Sequence, residues 1–193
     1  MKDRARKYFL LADQYLETSK LLLETLINND NSNAGFGSTQ EEAYEEMRKN
    51  VLKSDATLLI PTIFNSYQGL ELFLKGLLLI NGIEADNTHE VSDMIAKING
   101  IYGDKSDIYK KIRAFYKEQV DILKNYKKTN NITTTKELYE SLRYPEDNSL
   151  AIKEYDYFDL KYNGDLGIRN FKVLLKRLCE VKEVILKEYH EKY

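Results

Sequence analysis

The sequence predicts an all-α fold, an up-and-down helical bundle with at most one small hairpin or compact loop near 155–168. Three observations predict it. Apolar residues recur at helical spacing along most of the 193 residues. Only two prolines, Pro61 and Pro145, occur in a chain rich in Leu, Lys and Glu. Clusters of Asn and Gly fall between the periodic stretches, where turns are needed.

The first helix is expected over 3–27, where Tyr8, Leu11, Ala12, Tyr15, Leu16, Leu22, Leu23 and Leu26 share helical spacing. The Asn- and Gly-rich stretch 28–38 reads as a loop. Thr39 and Glu42 have capping-box spacing and open a charged amphipathic helix over 41–54. The most apolar stretch, 58–83, follows, with Pro61 placed in a first helical turn and Gly82 at the end. Its length raises the question of a membrane span. Asn65, Gln68, Glu71 and Lys75 project to one side of it, and two ionisable groups at mid-span are costly in lipid. The stretch is therefore expected to be the central helix of a bundle, with one polar stripe.

A short helix is expected over 88–98, with Asn87 or Thr88 as its cap and Gly100 and Gly103 as breakers. One long helix over 105–126 has Ile108, Ile112, Phe115, Tyr116, Val120 and Leu123 on its inner side. A loop at 128–135 leads to a second capping box, Thr134 with Glu137, and a short helix over 136–142. Pro145 stops it. Asn163-Gly164 is a hairpin-turn dipeptide, so 148–167 reads as a small hairpin or a compact loop. A last helix is expected over 168–189.

Composition sets the limits. A chain of 193 residues suits one core, and a single domain over 1–193 is expected. Fifteen tyrosines without a tryptophan suit helix faces and interfaces, where a ring packs and a hydroxyl stays wet. The net charge of −2 gives no general attraction to nucleic acid or anionic membrane. Locally, 105–128 is net basic and 136–165 net acidic. The lone Cys179 excludes an intrachain disulfide and is expected to be a small buried apolar group. Charges recur too often in the N-terminal segment for a signal peptide, so a cytoplasmic location is expected.

Candidate chemistry is sparse. There is no phosphate-binding glycine loop and no Glu-x-x-His pair of the di-metal bundles. No metal or cofactor is expected. His89, at a helix start, is either a packed histidine or a neutral base, since the positive end of the dipole disfavours imidazolium. Glu71 and Lys75 stand at i,i+4 in the favourable order. On so apolar a helix they form either an internal latch or part of a ligand cleft. Arg143 and Tyr144 are either a helix stop or a device for a phosphate or a stacked base.

The order of these features resembles the HEPN domain (higher eukaryotes and prokaryotes nucleotide-binding). The resemblance is carried by IPTIFNSYQGLELFLKGLLLINGI at 60–83, THEVSDMI at 88–95 and LYESLRYPED at 138–147, and covers most of the chain from Leu58 onward. It implies an all-α up-and-down bundle, commonly a homodimer. Many members of that family are RNA-cleaving toxins or defence effectors, and others are non-catalytic partners of nucleotidyltransferases. Active members share an Arg-x(4–6)-His motif on a late helix. This chain departs from it: Arg177 precedes His190 by too many residues, and neither Arg143 nor Arg169 has a histidine after it at that spacing.

The resemblance thus implies a non-catalytic or atypical module that binds a nucleotide, RNA or a protein partner, in a toxin–antitoxin or defence setting. The expected cleft is lined by Asn65, Glu71, Lys75, His89, Arg143 and Tyr144. The expected assembly is a homodimer through the central and C-terminal helices, with an antitoxin or a nucleotidyltransferase as further partner. Two other classes stay open. One is a metal-independent ribonuclease with His89 as base and Arg143 or Lys75 facing the phosphate. The other is a purely structural interaction protein.

Overall fold

A computed structural model describes residues 2–84, 91–146 and 154–192. The described residues are helical throughout, without a strand: α1 (Lys2–Asn28), α2 (Gln40–Val51), α3 (Asp55–Ile80), α4 (Val91–Tyr102), α5 (Asp107–Lys117), α6 (Asp121–Thr129), α7 (Thr135–Arg143) and α8 (Gly164–Lys192), with a 3₁₀ turn at Phe158–Leu160. The expected all-α class is what the chain adopts. No described helix is long and apolar enough to cross a membrane.

Local chemistry ends the helices. After α1, α3 and α6 the backbone turns left-handed at Asp30 (φ 49°), Gly82 (φ 77°) and Asn131 (φ 53°). The next N–H then reaches back to the third-last helical carbonyl: Asn31 to Leu26 at 3.0 Å, Ile83 to Leu78 at 3.0 Å, Ile132 to Lys127 at 2.8 Å. This Schellman arrangement pairs carbonyls that a helix end would leave open, and it explains the Asn and Gly at these positions. Both expected caps form. Thr39 accepts from Glu42 N–H, and Thr134 and Glu137 complete a reciprocal capping box.

The chain divides into two compact units, and α1, α3 and α8 each contribute residues to both. The first comprises Met1–Thr18, Asn65–Gln119 and Lys176–Tyr193. Its core holds Phe9, with ring centroids 5.5 Å from Phe73 and 4.3 Å from Tyr189. Gly76 lets Phe9 lie against α3, since a Cβ there would stand 2.8 Å from the ring. Tyr67 packs against Phe115 and Tyr116 at 5.3 and 5.4 Å. Leu70, Phe73, Leu74, Leu77 and Leu78 of α3 are fully buried, each worth roughly 1.5–3 kcal/mol of transfer free energy.

The second unit comprises Ser19–Phe64 and Val120–Leu175. Leu23, Leu26, Leu59, Ile63, Tyr126, Leu138, Leu160 and Phe171 form its core. Tyr126 stacks on Tyr157 at 5.8 Å.

Four expectations are corrected. α3 begins at Asp55, so Pro61 is not in the first turn but inside the helix; it is exposed, and so is Thr57, whose carbonyl loses the ladder bond to water. Gly100 lies within α4, and Gly103 (φ 79°) ends that helix. The single helix over 105–126 is two, parted at 118–120. There Gln119 Nε2 donates to Tyr67 Oη at 3.0 Å, and Ile122 N–H donates to buried Asn170 Oδ1 at 3.3 Å instead of continuing the ladder. Of the two forms expected around Asn163-Gly164, the described residues 154–163 take the compact loop, with the 3₁₀ turn inside it, and α8 starts at Gly164. Cys179 is exposed, because the buried stripe of α8 runs through Phe171, Leu174, Leu178, Val181 and Ile185 and Cys179 projects about 100° away from Leu178. The expected cap at Asn87 or Thr88 lies outside the described residues.

Candidate functional site

In the first unit, α3 carries three of the expected site residues. Glu71 and Lys75 are one helical turn apart, which places their side chains together. Lys75 Nζ donates to Glu71 Oε1 at 2.8 Å. The Glu71 side chain is fully buried and that of Lys75 is 10% exposed. Leu72, Leu74 and Phe73 surround this turn in sequence and are buried as well. Two charges in such a place are compensated by each other rather than by water.

Asn65 stands nearer the start of α3 and is half-buried. It lines a surface pocket of about 370 Å³ with Leu11, Gln14, Tyr15 and Thr18. The four α1 residues follow at i, i+3, i+4 and i+7, so they form one face of that helix. The volume is within the range of small-ligand sites, roughly 300–1,000 Å³. Two amides, a hydroxyl, a phenol and a leucine give neutral donors and acceptors beside an apolar wall. Leu11 and Tyr15 belong to the residues whose helical spacing predicts the first helix. Leu11 is 46% exposed, and the buried stripe is Ala5, Phe9, Ala12, Leu16, Ser19, Leu23 and Leu26. Leu11 and Tyr15 lie off that stripe, which is why they line the pocket.

Tyr67, one turn before Glu71, is fully buried and receives the Gln119 bond. Burial raises its phenol well above the ordinary tyrosine range, against the opposing pull of that bond. It is a neutral hydrogen-bonding group at any physiological pH. No sequence pattern singled it out.

Arg143 and Tyr144 belong to the second unit. Arg143 is the last residue of α7 and its guanidinium carbon sits 5.2 Å from the centroid of the Phe64 ring and 5.9 Å from that of Tyr139. Both distances are those of cation–π contacts. Tyr144 caps α7 and is 54% exposed. Its carbonyl accepts Tyr157 Oη–H at 2.9 Å, a hydroxyl that also reaches the Ser141 carbonyl at 2.5 Å. Burial raises the Tyr157 phenol, and its contact with Tyr126 opposes that. His89 lies outside the described residues. Of the six expected residues, Glu71 and Lys75 are in direct contact and Asn65 lies on the same helix within the same unit.

No curated protein and no solved structure matches the chain. A family model described as HEPN domain matches residues 41–162. That range is more than half of the chain and runs from the second residue of α2 past α7, with the Glu71–Lys75 pair, Asn65, Arg143 and Tyr144 inside it. The chain belongs to the HEPN domain family.

Proposed function

We propose that this HEPN domain is a binding module rather than a nuclease of the family's Arg-x(4–6)-His type, and that it takes a nucleotide or a segment of RNA. The observation that carries the reading is the pocket formed by Leu11, Gln14, Tyr15, Thr18 and Asn65. The Asn65 and Gln14 amides can pair with the edge of a nucleobase, and the Tyr15 ring offers a face for stacking. Arg143, held over Phe64 and next to exposed Tyr144, is a second recognition element suited to a phosphate or a stacked base. Lys75 is closed on Glu71, which supports the internal-latch role for that pair.

The module acts as a homodimer, in the cytoplasm, beside an antitoxin or a nucleotidyltransferase partner. The high tyrosine content and the family's habits support that assembly. The test is thermal unfolding and NMR titration with the four ribonucleoside monophosphates and a short mixed RNA. Binding to the native state raises the melting temperature by mass action. The expected outcome is a shift for the wild type that Asn65→Leu and Tyr15→Ala both abolish. A wild type that none of these ligands shifts overturns the reading.

A further inference from the structure

The fold calls for both residues of the dipeptide Asn163-Gly164. Gly164 has φ 49°, in the left-handed region that glycine enters without a steric penalty. It is exposed, and a Cβ there would meet nothing within 4 Å, so the glycine serves the backbone angle and not space. Asn163 is half-buried and supplies donors. Its Nδ2 donates to Asp55 Oδ2 at 3.3 Å, to the Asp159 carbonyl at 3.1 Å and to the Lys161 carbonyl at 3.3 Å. Its N–H reaches the same Asp55 Oδ2 at 2.8 Å, and its carbonyl accepts Gly167 N–H at 3.2 Å. Gly167 is bare beside it: a Cβ there would stand 3.1 Å from Asn163 Cβ and 2.9 Å from Asn31 Nδ2.

This pairing has a chemical consequence. With no side chain on Gly164, little hinders its backbone nitrogen from approaching Asn163 Cγ. In the folded chain the bonds to Asp55, Asp159 and Lys161 hold the amide, and it must give them up before it can swing toward that nitrogen. Reaction therefore waits on a local opening, and its rate follows the population of the open form. In that form the Gly164 nitrogen loses its proton to water and bonds to Asn163 Cγ. The Cγ–Nδ2 bond breaks, ammonia leaves, and a succinimide ring remains. Water then splits the ring. Cleavage at Cγ gives aspartate, and cleavage at the main-chain carbon gives isoaspartate, whose backbone runs through the side chain.

We propose that Asn163-Gly164 is a self-modification site, guarded by its bonds to Asp55 and the two carbonyls, and that neither product rebuilds this junction. The aspartate product faces three acceptors with no hydrogen to give them, and it sets a second negative charge beside the buried carboxylate of Asp55. The isoaspartate product adds a carbon to the backbone between the bond to Asp55 and the start of α8. Water is the only co-reactant.

The experiment keeps the full chain in mildly alkaline buffer and follows the tryptic peptide 162–169, in which Asn163 is the only side-chain amide. Conversion adds one mass unit, and chromatography separates the isoaspartate form. The native wild type should convert at least tenfold more slowly than the urea-unfolded chain, and Gly164→Ala should slow the unfolded chain at least tenfold. Asn31 also donates to Asp55 Oδ2, at 3.0 Å, so Asn31→Ala loosens the junction. It should convert at least threefold faster than a core truncation of the first unit, Leu77→Val or Leu77→Ala, whichever melts nearest to it. Asn163→Asp, made directly, should melt below the wild type. Equal rates for native and unfolded wild type would show that the junction guards nothing. Equal rates for Asn31→Ala and its matched control would show that only global unfolding exposes the site. An Asn163→Asp chain that melts with the wild type would show that the product rebuilds the junction. Each of these three results overturns the proposal.

Discussion

Asn31 and Asp55 hold each other by two hydrogen bonds of opposite sense: Asn31 Nδ2 donates to Asp55 Oδ2 at 3.0 Å, and Asp55 N–H donates to Asn31 Oδ1 at 2.7 Å. Asp55 is fully buried and Asn31 nearly so. The same carboxylate takes the N–H groups of Tyr162 and Asn163, each at 2.8 Å. One side chain thereby joins the turn after α1, the start of α3 and the turn before α8. Both of these bonds are part-buried, and they tie the turn before α8 to the buried start of α3.

The first prediction concerns this junction. Asp55→Ala removes the acceptor of the buried Asn31 amide and of the part-buried Tyr162 and Asn163 N–H groups, and a buried donor left open costs about 1–3 kcal/mol. Asp55→Asn keeps the shape but turns an amide toward donors, so it is expected to be nearly as harmful. Asn31→Ala should cost about 1–3 kcal/mol, because fewer groups lose a partner. Urea unfolding measures all three. A loss below about 0.5 kcal/mol for Asp55→Ala, the ordinary surface value, would show that the junction carries no weight.

The junction also shows where sequence reading stops. Periodicity marks helices because it is local, and α1, α3, α7 and α8 were visible for that reason. Asp55 meets Asn31 at 24 residues' separation and Asn163 at 108, distances over which one sequence carries no pairing signal. The break between α5 and α6 was hidden differently. Ile112, Phe115, Ile122 and Leu123 are all buried, so the apolar rhythm reads through an interruption that is set by Asn170 and Tyr67 from other helices. The capping box at Thr134 was legible because both its partners are three residues apart. At the candidate site the order was reversed. Asn65 and the Glu71–Lys75 pair stood out as polar residues on an apolar helix, while Leu11 and Tyr15 shared the helical spacing of α1 and nothing in it set them apart from the buried residues.

The capping box carries a pH dependence. The Glu137 carboxylate accepts Thr134 N–H at 2.9 Å, Thr133 N–H at 2.7 Å and Thr133 Oγ1–H at 2.9 Å. These bonds hold its pKa below the ordinary range, the Thr134 backbone bond foremost. A group whose folded pKa is depressed contributes stability that is present above its unfolded value, about 4.3 for Glu, and lost as pH falls through the folded pKa. The stability difference between wild type and Glu137→Ala should therefore be full at pH 6 and shrink toward pH 3. Thr134→Ala should cost about 1 kcal/mol at neutral pH. A difference for Glu137→Ala that is flat over this range would refute the assignment.

Exposure of Cys179 is checked with a thiol reagent. A buried cysteine in a native fold reacts only when the chain opens, whereas one on an open helix face reacts at the rate set by its thiolate fraction. The native protein should be labelled at one site per chain about as fast as the urea-unfolded protein. Protection of a hundredfold or more would place Cys179 inside, either in the chain or under a partner.

The last prediction separates the two roles left open for Glu71 and Lys75. Their bond lies on a turn of α3 where the Glu71 side chain is fully buried and that of Lys75 nearly so. Removing one charge from such a pair strands the other, at a cost of about 3–5 kcal/mol, because the Coulomb partner vanishes while the desolvation remains. Lys75→Met is thus expected to destabilise strongly, and Glu71→Gln similarly. The double variant removes both charges and keeps the volumes, so it should recover most of the loss and lie within about 1–2 kcal/mol of the wild type. The double-mutant cycle then gives a coupling of at least about 2 kcal/mol, well above the roughly 0.2–1 kcal/mol of an exposed pair. A pair that lines a ligand cleft behaves otherwise. Its single variants cost little, since water replaces the lost partner, and the double variant is additive. Chemical denaturation of the four proteins decides between these outcomes without any ligand, and the same variants measured in the nucleotide titration show whether Lys75 contributes to anion affinity. Strong coupling together with unchanged affinity is the expected pair of results, and it fixes the pair as an internal latch.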